Sequence, residues 1–449
     1  MGLNNSSGVR IPSSPPNIML KDSFCSSPWF HIRLTYDGSY DVCRWSKNGT
    51  TDFNIRTTSL MQFYNSEPMR QLRNQLLAGQ TPPVCEPCYY QDSFNKLSGR
   101  VRQLNKSAIN LSEFPLTFRS SPHLPVFEYS NDMQGASSHF PTDLQIDLGN
   151  TCNSACIMCD PTASSRLVAD YKKLTKLDSR LFAEPKPYRS WTEDQAVVDR
   201  FVQELQTFPY IRYIHFLGGE TLYNSAFYDI CEHLDGTNLI VGTTTNGTIY
   251  NERIEQLIPR FQEFHLGISI ESVTALNDYV RYPGPTDQIL ANILKFVDLR
   301  DQHPGLKLEL RITPNLFTIS ELDQVFEFMI KHDIIAESCN ILYQPRSLRM
   351  ELMPDDIRKE TINRLQAVVN RLGTYTPQVN TRRSDLSCEI IAQLANEYLE
   401  FVKTYQIPAD VAESHKELVQ FLKSFETIRN NTILDYAPRY KDFLRSIGY

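Results

Sequence analysis

Thr151-Cys152-Asn153-Ser154-Ala155-Cys156-Ile157-Met158-Cys159-Asp160 decides how the rest of the chain is read. Its three thiols form a C-x3-C-x2-C pattern directly after the strand-like run Leu144-Gln145-Ile146-Asp147-Leu148. Three is the wrong number for a closed site. Structural zinc takes four ligands in a tetrahedron, and an iron–sulfur cube held wholly by protein takes four thiolates. A compact three-thiolate loop therefore points to a [4Fe–4S] cluster with one iron left open. The plain alternative is a surface loop with a disulfide and a spare thiol, or a partial zinc knuckle, and it requires the motifs downstream to be coincidental.

From residue 142 onward, strand-like and helix-like segments alternate, the mark of a parallel α/β architecture. Six apolar runs qualify as strands, near 143–148, 211–217, 238–244, 263–270, 307–313 and 339–343. Helical patterns lie between them: Thr192–Phe208, with a Thr cap and acidic residues in its first turn, then segments near 225–234, 251–260, 286–300 and 319–332. Parallel barrels gather their chemistry at the C-terminal ends of strands, and the cysteine loop follows the first strand. The second strand ends in Gly218-Gly219-Glu220. Glycines there admit a ligand to the backbone, and the carboxylate can accept hydrogen bonds from an ammonium group. Thr243-Thr244-Thr245-Asn246-Gly247-Thr248 ends the third strand, and Gly267-Ile268-Ser269-Ile270-Glu271-Ser272 the fourth, followed by Asn277 to Arg281. Thr313-Pro314-Asn315 ends the fifth and can line a pocket. Taken singly, each of these is equally a turn or cap.

Taken together, C-x3-C-x2-C, Gly-Gly-Glu one β/α unit later and the Thr-Asn-Gly segment resemble the radical S-adenosylmethionine (SAM) superfamily. The resemblance implies a partial (β/α)6 TIM-like barrel over 142–345. It implies that SAM chelates the open iron, and that one electron from the cluster cleaves SAM to a 5′-deoxyadenosyl radical that abstracts a substrate hydrogen. By the same resemblance Cys152, Cys156 and Cys159 bind the SAM cluster, and Gly218, Gly219 and Glu220 hold the SAM amino group. Ser269 touches the ribose, Arg281 the carboxylate and Met158 the adenine, while Thr244 and Asn246 belong to the Thr-Asn-Gly segment of the cofactor site. Family members often carry Asp where this chain has Glu271, which receives no direct role.

A second cysteine group lies in front: Cys25, Cys43, Cys85 and Cys88. Cys25 to Leu34 alternates like a strand, turns at Asp37-Gly38 and returns to Cys43, so a hairpin brings Cys25 and Cys43 to one end. A helix is expected from Glu67 to about Leu77, then the pair Cys85/Cys88. Zinc and a [4Fe–4S] cluster both suit four thiolates, and spacing alone favours zinc. The hairpin, helix and cysteines are also similar to a twitch domain, a relative of the SPASM domain, placed ahead of the barrel; Glu86-Pro87-Cys88 and Ser98-Gly99-Arg100 fall within that likeness. It implies an auxiliary [4Fe–4S] cluster used for electron transfer in a net oxidation, on a peptide or small polar metabolite, with a flavodoxin- or ferredoxin-type reductant. A non-enzymatic zinc or iron–sulfur electron-transfer protein is the competing class.

Length and composition set the limits. A chain of 449 residues suggests two or three domains. The expected division is a disordered tail at 1–21, the iron–sulfur module at 22–103, a linker at 104–141, the barrel, and a helical C-terminal region at 346–449 with no catalytic constellation. No run approaches the ~18 apolar residues of a membrane span. Met1-Gly2-Leu3-Asn4-Asn5-Ser6 fits a myristoylation pattern but reads as a polar tail. Ten cysteines in so long a chain, seven of them with metal-ligand spacing, fit a reducing cytoplasm. A net charge of −7 argues against general nucleic-acid binding. Residues 1–140 carry 13 Lys or Arg against 10 Asp or Glu, and Arg33, Arg44, Arg100 and Arg102 there are candidates to meet an acidic partner. Cys231, Cys339 and Cys388 are expected to be buried thiols, with Cys339 a candidate hydrogen-atom donor.

Overall fold

The computed structural model describes residues 19–20, 23–46, 49–92, 98–106, 116–117, 124–137, 140–186, 189–208, 211–336, 339–373 and 382–449. The expected tail at 1–21, with its Met1–Ser6 pattern, lies outside them except for Met19 and Leu20, and so does much of the expected linker. Two compact units result: Met1–Leu34 with Ser39–Leu144, and Thr35–Gly38 with Gln145–Tyr449.

In the first unit a two-residue strand, β1 (Met19–Leu20), pairs antiparallel with β5 (Leu116–Thr117). The run expected as a strand from Cys25 begins instead with a helical turn, α1 (Ser27–Phe30), before β2 (His31–Leu34). Pro28 at the start of that turn suits a helix and not a central strand. β2 pairs with β3 (Ser39–Asp41), and β3 with β4 (Thr50–Asn54), both antiparallel. A capping box between Ser59 and Gln62 opens α2 (Leu60–Tyr64). α3 (Glu67–Leu77) occupies the residues expected of it and buries Met69, Leu72, Arg73, Leu76 and Leu77. α4 (Glu86–Asp92), α5 (Gly99–Lys106) and α6 (Leu124–Asp132) complete the unit.

Two features hold this unit together. Phe24, Trp29 and Phe127 form an aromatic cluster with ring centroids 5.1–5.5 Å apart. Arg73 is fully buried beneath it and donates to the carbonyls of Pro28, Tyr64 and Gly135, with its guanidinium 4.4 Å from the Tyr64 ring. Burial pulls its pKa down to about 10, yet the cation satisfies three carbonyls that secondary structure leaves open.

The second unit is α/β. Its sheet runs in the order β10-β9-β8-β7-β6: β6 (Asp143–Asp147), β7 (Tyr213–Leu217), β8 (Ile240–Thr245), β9 (Glu263–Ser269) and β10 (Leu306–Arg311). The pairs from β7 to β10 are parallel, and their near-continuous burial is that of a covered parallel sheet. The sixth position is held by Ile335, bridged in parallel to Glu309, while the run expected near 339–343 is not a strand. α7 (Leu167–Leu177) follows the cysteine loop. The helix expected from Thr192 starts later: Ser190 and Glu193 form a capping box on a short 3-10 turn, and α8 (Gln195–Gln206) begins after Asp194. α8 buries Val197, Val198, Phe201, Val202 and Leu205, each worth ~1.5–3 kcal/mol. α9 (Ser225–Glu232), α10 (Glu252–Leu257), α11 (Leu276–Val280), α12 (Thr286–Gln302) and α13 (Leu322–His332) follow their strands. The C-terminal region is helical: α14 (Asp355–Gly373), α15 (Arg382–Thr404), α16 (Val411–Arg429), α17 (Ile433–Tyr436) and α18 (Lys441–Ser446). No helix among the described residues is long and apolar enough to cross a membrane.

Candidate functional site

The cysteine loop leaves the C-terminal end of β6 and is shaped mainly by backbone contacts. Gly218 and Gly219, after β7, have φ of +101° and +53°, and a Cβ on either would strike the backbone of residues 148–151. The glycines therefore let the β7 end press directly on the segment leading into Cys152. Glu220 N–H then donates to the Thr151 carbonyl at 2.8 Å. On the far side, Ala155 N–H donates to Tyr282 O (2.6 Å) and Ile157 N–H to Val280 O (2.9 Å). Ser164 Oγ donates to Ser154 O at 2.6 Å, closing the loop on itself.

Glu220 is 1 % exposed and holds the strand ends together. Its Oε1 accepts from Leu222 N–H (3.1 Å) and Thr245 Oγ1 (2.5 Å), and its Oε2 from Asn246 N–H (2.5 Å). Burial raises its pKa, and these three donors oppose the rise. Asn246 passes the link onward: its Nδ2 donates to Asn153 Oδ1 (2.7 Å) and Ser154 Oγ (2.9 Å), both inside the loop.

Cys156 and Cys159 share a hydrogen bond that drives their pKa values apart, Cys156 down and Cys159 up. The charge of Arg281 favours both thiolates. Burial pushes Cys152 up to about 11, against a Ser154 N–H that reaches its Sγ at 3.4 Å. Burial opposes the charge on Arg281, but Glu271 and the thiols outweigh it and hold the guanidinium charged. The pair is bidentate, with Nη2 donating to Glu271 Oε1 at 2.7 Å and Nε to Oε2. Glu271, given no role from the sequence, is fully buried and orients Arg281. The signal for it was an acid at a strand end ten residues before a base.

The other expected residues are placed as follows. Met158 Sδ accepts from Asn315 Nδ2 at 3.3 Å, which ties the end of β10 to the loop. Thr244, on β8, and Ser269, the last residue of β9, are both half-buried. Cys339 is half-buried outside any strand and hydrogen-bonds Tyr398, whose hydroxyl donates to Ile312 O at 3.2 Å. Cys231 and Cys388 are buried thiols.

In the first unit, the 3-10 turn Pro83–Cys85 runs into α4 and puts Cys85 and Cys88 three residues apart on one helical face. Cys25 interacts electrostatically with Cys43, Cys85 and Cys88, so the four thiols are neighbours. Burial raises all four, Cys85 to about 12 and Cys88 to about 11. Backbone N–H groups are aimed at three of the sulfurs: Ser27 at Cys25, Trp45 at Cys43 and Arg100 at Cys88. Such donors favour the thiolate and tune a cluster's potential. Among the described residues, no group of three or more His, Cys, Asp or Glu is arranged to hold a single metal ion. Three of the four arginines considered as partner-facing are engaged within the unit: Arg33 with Asp41, Arg44 with His31, and Arg100 with Asp92.

The Radical SAM superfamily model matches residues 146–303, which contain the three loop cysteines, Gly218-Gly219-Glu220 and Arg281. Residues 146–303 form a radical SAM domain. Ahead of this radical SAM domain, the SPASM model, an iron-sulfur cluster-binding domain, matches residues 25–89 and spans all four front cysteines. The cofactors are thus SAM, its [4Fe–4S] cluster and auxiliary iron–sulfur, in place of the zinc that spacing favoured. The chain is an enzyme, which removes the non-enzymatic alternative. No curated protein matches it. Among solved structures it is similar to Streptococcus suis SuiB at 10% identity, with 76% of this chain and 68% of that chain covered and a TM-score of 0.34. SuiB bound to S-adenosylmethionine gives 11%, 76%, 68% and 0.33. SuiB bound to precursor peptide SuiA gives 13%, 79%, 70% and 0.36.

The residues present fit a cluster bound at the loop. The donor set is three thiols from one loop, close enough to interact electrostatically, and Arg281 supplies the opposite charge.

Proposed function

We propose that Cys152, Cys156 and Cys159 hold the SAM-binding [4Fe–4S] cluster, and that Cys25, Cys43, Cys85 and Cys88 hold the auxiliary one. The observation that carries this reading is a three-thiol loop clamped by the ends of β7 and β8 and facing Arg281. When bound, the cluster and SAM supply a one-electron cleavage that yields a 5′-deoxyadenosyl radical, which removes a hydrogen atom from substrate. The chain's own residues bind and orient. Arg281, fixed by Glu271, offers positive charge to the SAM carboxylate. Glu220 Oε2, with one donor among the described residues, retains acceptor capacity for the SAM amino group. Met158, steadied by Asn315, presents an apolar surface to the adenine, while Gly218, Gly219, Thr244, Asn246 and Ser269 line the cofactor.

The four front thiolates leave the auxiliary cluster no vacant iron, so its role is electron transfer in a net oxidation. Substrates of this reading are peptides or small polar metabolites, the electron donor is of flavodoxin or ferredoxin type, and the setting is the reducing cytoplasm. The domain division expected from the sequence accompanies it. Cys339 is the thiol that would return a hydrogen atom in a redox-neutral variant of the reaction. The test is anaerobic incubation of iron-reconstituted protein with dithionite and SAM. Release of 5′-deoxyadenosine, abolished by Cys152→Ala, is expected; no release from protein that carries iron overturns the reading.

A further inference from the structure

The helical C-terminal region reaches the thiol loop through one side chain. Arg429, in the last turn of α16, is 274 residues downstream of Ala155, and its side chain is 2 % exposed. Its Nη2 donates to the Ala155 carbonyl at 2.6 Å and pairs with Asp170 Oδ2, on α7, at 3.2 Å. Ala155 is the residue before Cys156, and its N–H is already bound to Tyr282 O. The guanidinium is 4.7 Å from the Tyr282 ring and 4.5 Å from the Phe425 ring, so aromatic faces enclose it. Rings of Phe421 and Phe425 pack on Phe182 and fix the helix that carries it. Its Nε and Nη1 are buried with no hydrogen-bond acceptor among the described residues.

An arginine at a helix C-terminus ordinarily complements the helix dipole from the solvent side. This one is desolvated, leaves two donors unspent and places its charge where the Cys156 sulfur feels it. Buried orphan donors are costly, ~1–3 kcal/mol each, unless a ligand supplies the acceptors. A cluster with its thiolate and sulfide sulfurs is such an acceptor, and it gains negative charge on reduction by one external electron.

We infer that Arg429 is a positioning residue for the catalytic cluster: it fixes the loop at Ala155 and favours the reduced, more negative state. The inference rests on the assignment of Cys152, Cys156 and Cys159 as cluster ligands. A nearby cation raises the reduction potential, because it stabilises the form that carries the extra electron. Asp170 opposes that effect, so the two residues act with opposite sign.

The experiment is an EPR-monitored redox titration of the reconstituted full chain, following the signal that changes on addition of SAM. Arg429→Gln is expected to lower the midpoint so that the reduced-to-oxidised ratio at the wild-type midpoint falls about tenfold, a shift of 59 mV for one electron. Arg429→Lys, which keeps the charge, is expected to restore most of that shift, and Asp170→Asn to move the midpoint the other way. A purely structural role would reduce iron content and leave the midpoint of the remaining cluster in place. Arg429→Gln protein with an unchanged midpoint overturns the inference. If that variant loses the cluster, an unmoved midpoint in Asp170→Asn overturns it instead. Survival of the SAM-responsive signal in Cys152→Ala would overturn the ligand assignment, and so separates failure of that reading from failure of this one.

Discussion

Asn246 Nδ2 donates to Asn153 Oδ1 at 2.7 Å, joining the end of β8 to the interior of the thiol loop. The same amide reaches Ser154 Oγ, and Asn246 N–H is held by Glu220. Asn246→Ala removes both bonds into the loop, together with the two that Thr248 N–H and Oγ1 donate to Asn246 Oδ1 (3.0 and 2.7 Å). A loss of ~1–3 kcal/mol from the docked loop raises its opening about 5–150-fold. The expected result is faster iron loss to a chelator from the SAM site, with the front site unaffected. Equal rates in the variant and the wild type would show that the loop does not depend on this link.

Glu271 and Arg281 make a second, sharper case. Glu271→Ala leaves a largely buried guanidinium without its partner, a cost of ~3–5 kcal/mol. Replacing both residues with Leu removes the uncompensated charge along with the pair. Denaturation monitored through the second unit is expected to show the double variant more stable than Glu271→Ala. Additive losses from the two single changes would contradict a coupled pair.

Gly219→Ala tests backbone contact. Its φ of +53° is unfavourable for alanine, and the new Cβ would strike the Thr151 backbone. Iron analysis is expected to fall from about eight to about four irons per chain, since the front cluster is untouched. Retention of both clusters would mean that the loop can shift aside.

Reconstitution should depend on pH, and more steeply at the front site. Burial raises all four front thiols, whereas Cys156 in the rear loop is lowered by its bond to Cys159. A raised thiol is protonated below its folded pKa, and ligation must expel that proton, so affinity increases as pH rises, by up to ~tenfold per unit for each proton released. Iron uptake measured between roughly pH 6.5 and 8.5, where the raised front thiols are still protonated and each must release its proton on ligation, is expected to climb faster in Cys152→Ala, which keeps the front site, than in Cys88→Ala, which keeps the rear one.

Arg73→Met probes the scaffold of the first unit. The variant strands the carbonyls of Pro28, Tyr64 and Gly135, at ~1–3 kcal/mol for each buried group left unpaired. Loss of the auxiliary cluster with the SAM cluster retained is the expected outcome, read from iron content and EPR. A fully loaded variant would show that water replaces the guanidinium.

The parts of this molecule that were legible in its sequence are those set by local pattern. α3 has the bounds that its periodicity implied, and five of the six expected strands form where apolar runs stand between turns. That Cys152, Cys156 and Cys159 come together in one loop followed from their spacing. What escaped depended on tertiary context. The run before His31 is apolar enough for a strand, but Pro28 and burial of Trp29 favour a helical turn. Residues 339–343 have strand-like composition, yet the parallel bridge to Glu309 is made by Ile335. The expectation for Gly218 and Gly219 was a ligand at the backbone; what no local pattern revealed is that their missing Cβ atoms also admit the loop's own backbone. Arg429 had no local signal, because only folding brings it to Ala155.

The ties from Glu220, Asn246, Val280 and Tyr282 hold the thiol loop through the protein's own hydrogen bonds, none of which uses a sulfur. Most of the conformational entropy of ordering those residues is spent when the chain folds. Cluster insertion is accordingly expected to resemble docking into a pre-ordered loop more than the metal-driven folding of a zinc finger. Iron starvation should then leave this unit folded and refillable, so that activity is governed by supply of the cluster and not by survival of the protein.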